Sequence, residues 1–138
     1  MKVFLDANIL VSVLNKEYPV FSYSSRILSL TENKKFQIFT SPLCLAIAFY
    51  FAEKKHKTIQ AKQKIKILCD HIKIASNSDK AVADSLRNPS VHDFEDGLEY
   101  YAAIENNCTC IITEDTSDFY FSEIEILNSV SFCRKYLT

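Results

Sequence analysis

Apolar residues along this chain fall into short continuous runs that alternate with helical stripes. Val3-Phe4-Leu5 has the continuous apolar character of a fully buried strand, and Ala7 to Leu14 then reads as a short helix. Pro19 opens a second helical stretch, in which Phe21, Ser24, Ile27, Leu28 and Leu30 recur near helical spacing as far as about Asn33. Phe36 to Thr40 is strand-like. Ser41-Pro42 has N-cap and first-turn chemistry and predicts a helix over Leu43 to Lys55. That segment is apolar almost all round, which predicts burial.

Thr58 to about His71 reads as a basic amphipathic helix with Ile59, Ile65 and Leu68 on one side. Ile72 to Ala75 predicts a strand. Ser78 can cap a helix running to about Arg87, where Asn88-Pro89 ends it. Asp93 to Asn106 is helical, Cys108 to Thr113 a strand, Ile124 to Leu127 a weaker strand and Val130 to Leu137 a closing helix. Strands alternating with helices predict an α/β fold of three layers, with a mainly parallel sheet covered on both faces. No linker, repeat or low-complexity segment interrupts the pattern, so a single domain is expected over residues 1–138, long enough for a proper core.

Composition then narrows the function classes. The one glycine, Gly97, excludes phosphate-binding loops of the P-loop or dinucleotide type, which need several. Five cysteines, an odd number without a CxxC pair, predict reduced thiols in a cytosolic compartment, with Cys108 and Cys110 packing as small hydrophobes. No signal peptide and no membrane-spanning run is apparent, so a cytoplasmic protein is expected. His56, His71 and His92 lack metal-ligand spacing, and no nucleophile triad or G-x-S-x-G is present.

The formal net charge of −1 predicts nothing about nucleic acid, but its distribution does. Between Asp93 and Glu125 stand ten acidic residues and no Lys or Arg. Carboxylates brought together repel unless a cation sits among them. Conversely, Lys54, Lys55, Lys57, Lys62, Lys64, Lys66 and Lys73 face only Asp70 in their stretch. A lone Lys run is usually a solvated helix face. Beside an acidic candidate site it suits a polyanionic substrate.

In an open parallel sheet, sites form outside the carboxyl ends of the strands. Asp6 follows the first strand, and Glu114, Asp115 and Asp118 follow the strand from Cys108 to Thr113. Asp96 starts the preceding helix and falls on the same side. Helix-end or surface positions explain Asp93, Glu95 and Glu99, and surface positions Glu123 and Glu125. A turn role is open for one of Asp115 and Asp118. Oxygen-rich, His-poor clusters suit Mg²⁺ or Mn²⁺. Tyr100, Tyr101 and Tyr120 could stack on bases, but core or interface packing is the default for each.

Four segments together resemble the PIN domain, the metal-dependent nuclease fold of VapC-type bacterial toxins. VFLDANIL resembles its opening strand, acid and helix; FTSPLCLAIAFYF its second strand and helix; HDFEDGLEYYAA the segment with its third acid; and IITEDTSDF its last strand and acidic turn. The resemblance implies four to five parallel strands and a carboxylate cluster that holds one or two divalent ions to cleave an RNA phosphodiester. It assigns Asp6 as the first acid, Asp96 as the third, and Asp115 or Asp118 as the last. Asn8 and Thr113 take positions that orient the acids, and Ser41 stands at the second strand's end. Lys54, Lys55, Lys57 and Lys62 would meet the RNA backbone. A homodimer and a small antitoxin partner are further implications.

The resemblance departs at one position. Where the family places a Glu on the helix after the second strand, this chain has Ile47, and Glu53 lies nearly two turns further on. Two readings follow: an active Mg²⁺- or Mn²⁺-dependent endoribonuclease of the altered bacterial subgroup, or a degenerate PIN-like domain acting as a binding or regulatory module. A phosphatase or phospho-acceptor domain ranks lowest, because Asp6-Ala7-Asn8 lacks the second acid of an aspartyl phosphatase.

Overall fold

The strands β1 (Lys2–Leu5), β2 (Gln37–Thr40), β3 (Lys73–Ile74), β4 (Cys110–Ile112) and β5 (Glu125–Leu127) form one parallel sheet in the order β3-β2-β1-β4-β5. The computed structural model describes residues 1–137. Thr138, the last residue of the expected domain, lies outside them. The helices are α1 (Ala7–Leu14), α2 (Phe21–Leu28), α3 (Pro42–Lys55), α4 (Thr58–Cys69), α5 (Asp79–Arg87), α6 (Phe94–Glu105) and α7 (Ser129–Tyr136). The predicted three-layer α/β/α class and parallel sheet are borne out.

The chain steps outward from β1 through β2 to β3, then crosses back to β4. With right-handed crossovers, the connections between strands before and after that reversal cover opposite faces, while α7, which follows the last strand, returns to pack on α2. Accordingly α1 packs on α2 and α3, and α3 on α4, while α5 and α6 form a separate pair. The central strands carry the core: Val3, Phe4, Leu5, Cys110, Ile111 and Ile112 are at most 1% exposed. Each such large aliphatic or aromatic side chain contributes about 1.5–3 kcal/mol by burial.

Two helices depart from expectation. The segment predicted to be buried all round, α3, buries only Cys44, Ala48 and Ala52, whereas Tyr50 and Phe51 are 54% and 44% exposed. The three buried positions recur every four residues and are small, so they form a narrow stripe along which α3 approaches its neighbours. In α4, Ile59 does not join the inner side and is 72% exposed; Ala61 and Leu68 are the buried positions, with Ile65 packed against the core.

Gly97 has a packing role. A Cβ there would lie 2.7 Å from Val91 Cγ1 and 3.1 Å from Ser85 Cβ, so α6 meets α5 at a distance that only glycine accommodates without movement.

Candidate metal-binding acidic site

The site lies where the strand order reverses. β1 and β4 are neighbours in register, Leu5 opposite Ile112, and the Asp6 N–H donates to the Ile112 carbonyl at 3.0 Å. The residues following both strands therefore leave the sheet side by side, in the crevice that open α/β sheets use for ligands.

Asp6 is 8% exposed and fixed at both carboxylate oxygens. Oδ1 accepts from the Ala7 N–H at 2.6 Å, capping α1, and Oδ2 accepts from the Thr113 hydroxyl at 2.7 Å. The Asn8 amide NH₂ reaches Thr113 Oγ1 at 3.2 Å, Asp115 Oδ2 at 3.3 Å and Asp6 Oδ2 at 3.5 Å. The Asn8 carbonyl oxygen accepts from the Glu114 N–H at 3.2 Å. Asn8 and Thr113 thus join the β1 end to the β4 turn. Ser41 is fully buried, and its hydroxyl accepts from the Cys44 N–H at 3.2 Å as the N-cap of α3.

Asp6, Asp96, Asp115 and Asp118 line one open cavity of about 440 Å³, with Asn8 beside them. Asp93, Glu95, Glu99 and Glu17 add further acids, while Ile47, Phe51, Ala7 and Val11 supply the apolar wall. None of the lining residues is basic. Asp93 caps α6 by accepting from the Glu95 N–H at 2.9 Å, which accounts for its position without a ligand.

Glu99 is the residue that reading the sequence misplaced. Expected at a helix end or on the surface, it is 1% exposed, and its Oε1 accepts from the Cys44 thiol at 3.1 Å. One ligating atom each from Asp6, Cys44 and Glu99 lies within 4.8 Å of the others. The signal was present in the spacing. Asp96 and Glu99 stand three residues apart on α6, so a helix that turns Asp96 to the site turns Glu99 toward it as well. What the pattern lacked was the depth of that face.

Electrostatics record the crowding. Burial pushes the Glu99 carboxyl up to about 11, and a hydrogen bond with Asp6 and its nearby charge add to the shift. Asp96 rises to about 7, first through burial and then through the charges of Asp93, Asp118, Asp6 and Glu95. Burial also raises Glu95, followed by Asp93 and Asp6. The Cys44 thiol is pushed well above its ordinary value by burial, then by Glu99 and Asp6, so it stands as a neutral donor. Carboxyls arranged this way need a proton or a cation between them.

The other predicted residues fall elsewhere. Lys54 Nζ sits 4.2 Å from the Tyr50 ring centroid and 5.5 Å from that of Phe51. Lys55 Nζ donates to the Asn15 carbonyl, Lys57 precedes α4, and Lys62 borders a separate apolar hollow with Leu45, Phe49 and Ile65. Tyr100 is buried and its hydroxyl accepts from the Glu123 N–H, while Tyr101 accepts from the Asn88 amide. Tyr120 is 58% exposed against His92 and Phe121, its hydroxyl donating to the Ser90 carbonyl.

Comparison with known proteins agrees with this architecture. Ribonuclease VapC1 of Aquifex aeolicus is 28% identical over 141 residues, covering 99% of this chain and 96% of that protein. Among solved structures, VapBC-1 from nontypeable Haemophilus influenzae superposes with a TM-score of 0.70 at 14% identity, over 94% of this chain and 99% of its counterpart. VapBC2 from Rickettsia felis, bound to a promoter DNA fragment, gives 0.67 at 24% identity over 93% of this chain and 98% of the other. At these identities the structures speak for the fold. A sequence model of the PIN domain matches residues 2–117, from β1 into the acidic turn after β4, and the chain is therefore a member of the PIN domain family.

Proposed function

We propose that this chain is a divalent-metal-dependent endoribonuclease, the toxin of a toxin–antitoxin pair, acting in the cytoplasm as one PIN-like domain over residues 1–138. The observation that carries this reading is the convergence of Asp6, Asp96, Asp115 and Asp118 on one cavity without a basic residue. The relative from Aquifex aeolicus is named a ribonuclease, which supports the substrate class.

The donor set fits a hard cation. It offers carboxylate oxygens and no histidine, the ligand chemistry of Mg²⁺ or Mn²⁺. Asp6, Asp96 and Asp118 would hold the ion, with Asp115 adjacent. A divalent cation held there would supply an acidified water and would neutralise charge developing on the phosphate. Asn8 and Thr113 hold Asp6 and Asp115 in place through their hydrogen bonds. Lys54, Lys55, Lys57 and Lys62 would contact the RNA backbone, and Lys54 stands beside Phe51, a residue of the cavity wall. The matching structures are named VapBC, and together with the resemblance to VapC-type toxins this supports a small antitoxin partner for this chain. A homodimer completes the proposal.

A catalytically degenerate module is the second reading, favoured by Ile47, an apolar residue in the cavity wall where the family carries an acid. RNA cleavage with added Mn²⁺ separates the two. The nuclease reading expects cleavage by the wild type and its loss in both Asp6→Asn and Asp96→Asn. It is abandoned if purified protein cleaves no RNA and binds no divalent ion.

A further inference from the structure

We infer that Glu99 supplies, from α6, the fourth acid of the metal site that Ile47 on α3 does not supply. The inference rests on the metal-dependent reading above and concerns this chain's own ligand set.

Three observations carry it. First, the side chain at position 47 is in the cavity wall but has no donor atom, so α3 contributes no carboxylate to the site. The nearest acid on that helix, Glu53, is turned away and accepts from the Thr58 hydroxyl at 2.8 Å. Second, Glu99 is 1% exposed, lines the same cavity and lies within 4.8 Å of the ligating atoms of Asp6 and Cys44. A buried carboxyl ordinarily finds a basic partner or several strong donors. Glu99 has the Cys44 thiol, a weak donor, and another carboxyl. Third, Glu99 follows Asp96 by three residues on one helix face, so one rigid element presents two carboxylates to Asp6 across the crevice.

The α3 helix still takes part in a different way. Its first-turn residue Cys44, held by the Ser41 cap, donates its thiol proton to Glu99 Oε1. This fixes the rotamer through Oε1, the service that an outer hydrogen bond gives a metal ligand, and an ion would take the place of the proton shared between Glu99 and Asp6. The site keeps four acidic ligands with the second one relocated from α3 to α6.

The test is Mn²⁺ binding by the intact protein, read by electron paramagnetic resonance of free Mn²⁺ and by the ion's effect on Tm. Wild type, Glu99→Gln and Asp96→Asn are compared, and RNA cleavage is not needed. Glu99→Gln keeps the side-chain shape and is expected to weaken Mn²⁺ binding by about 10-fold or more. Should Glu99→Gln not fold, Glu99→Asp keeps a carboxylate one methylene shorter and is expected to bind Mn²⁺ more weakly than wild type. Wild-type affinity in the folded Glu99 variant, together with weakened binding in Asp96→Asn, overturns this inference and leaves the nuclease reading standing. No Mn²⁺ binding by the wild type overturns both.

Discussion

The two edges of the sheet hold acids in opposite conditions. At the amino edge, Glu125 begins β5 and receives hydrogen bonds from Lys135 and from the Tyr136 hydroxyl at 2.6 Å. Burial works to raise its pKa, but the bonds from Lys135 and Tyr136 outweigh it and the net shift is downward. At the other end of α6 from Asp96, Glu105 accepts from the Ser78 N–H and hydroxyl. At the carboxyl edge, Asp96 and Glu99 meet other acids and no base, and both are raised. A run of acids uniform in the sequence is thus divided by the fold into acids with partners and acids facing one another. Only the second kind stores repulsion that a cation relieves.

The largest expected effect is chemical. Asp6→Asn or Asp96→Asn should lower Mn²⁺-dependent RNA cleavage by more than about 100-fold, beyond what losing an outer hydrogen-bond partner costs, and chelation of the ion should do the same to the wild type. Glu125→Gln at the other edge should leave cleavage unchanged. Equal losses at both edges would erase the distinction.

Stability against pH sharpens it next. Folded Asp96 keeps its proton to about 7, whereas its ordinary value is 3.8. Between those values the folded state binds a proton that the unfolded chain has released, so stability declines as pH rises. Glu99, raised to about 11, extends the same sign to higher pH. Without divalent ions, Tm should fall by roughly 5 °C between about pH 5 and about pH 8, with solvent screening at half-exposed Asp96 limiting the size. Asp96→Asn should flatten that slope, and saturating Mn²⁺ should remove it. A Tm that rises over this range would contradict the assignment.

Gly97 probes how the acidic face is held in place. In Gly97→Ala, helix propensity gains about 1 kcal/mol, but the added Cβ at 2.7 Å from Val91 and 3.1 Å from Ser85 overpacks the contact, costing about 1–3 kcal/mol. Thermal melts should show a net loss, with weaker Mn²⁺ binding if α6 is displaced. The smallest effect belongs to the paired edge. Glu125→Gln should move Tm by no more than about 3 °C, because its ion pair with Lys135 is solvent-exposed, and titration should find Mn²⁺ affinity unchanged.

Much of this arrangement was legible in the chain. The strand preceding Asp6, the caps at Ser41 and Ser78, the helix start at Asp93, and the break at Asn88-Pro89 are local, and the helices and strands appear where those residues put them. The α/β class followed from their alternation. What misled were faces and depth. The segment Leu43 to Lys55 is apolar all round, yet its small residues Cys44, Ala48 and Ala52 go inward and Tyr50 and Phe51 outward. Hydrophobicity ranks residues, whereas close helix contact selects for size.

The same limit applies at the site. By itself, the sequence determined the elements, their order, the acids available at strand ends and the absence of an acid at position 47. Those follow from backbone chemistry and from residue identity, which are local. Only the tertiary structure decided that β1 and β4 are neighbours, that Thr113 and Asn8 tie Asp6 to the distant turn, and that Glu99 lies buried against Asp6 and Cys44. Burial depth and charge proximity are set by contacts between residues far apart in the chain, and a carboxylate's character depends on those neighbours more than on its own position in the sequence.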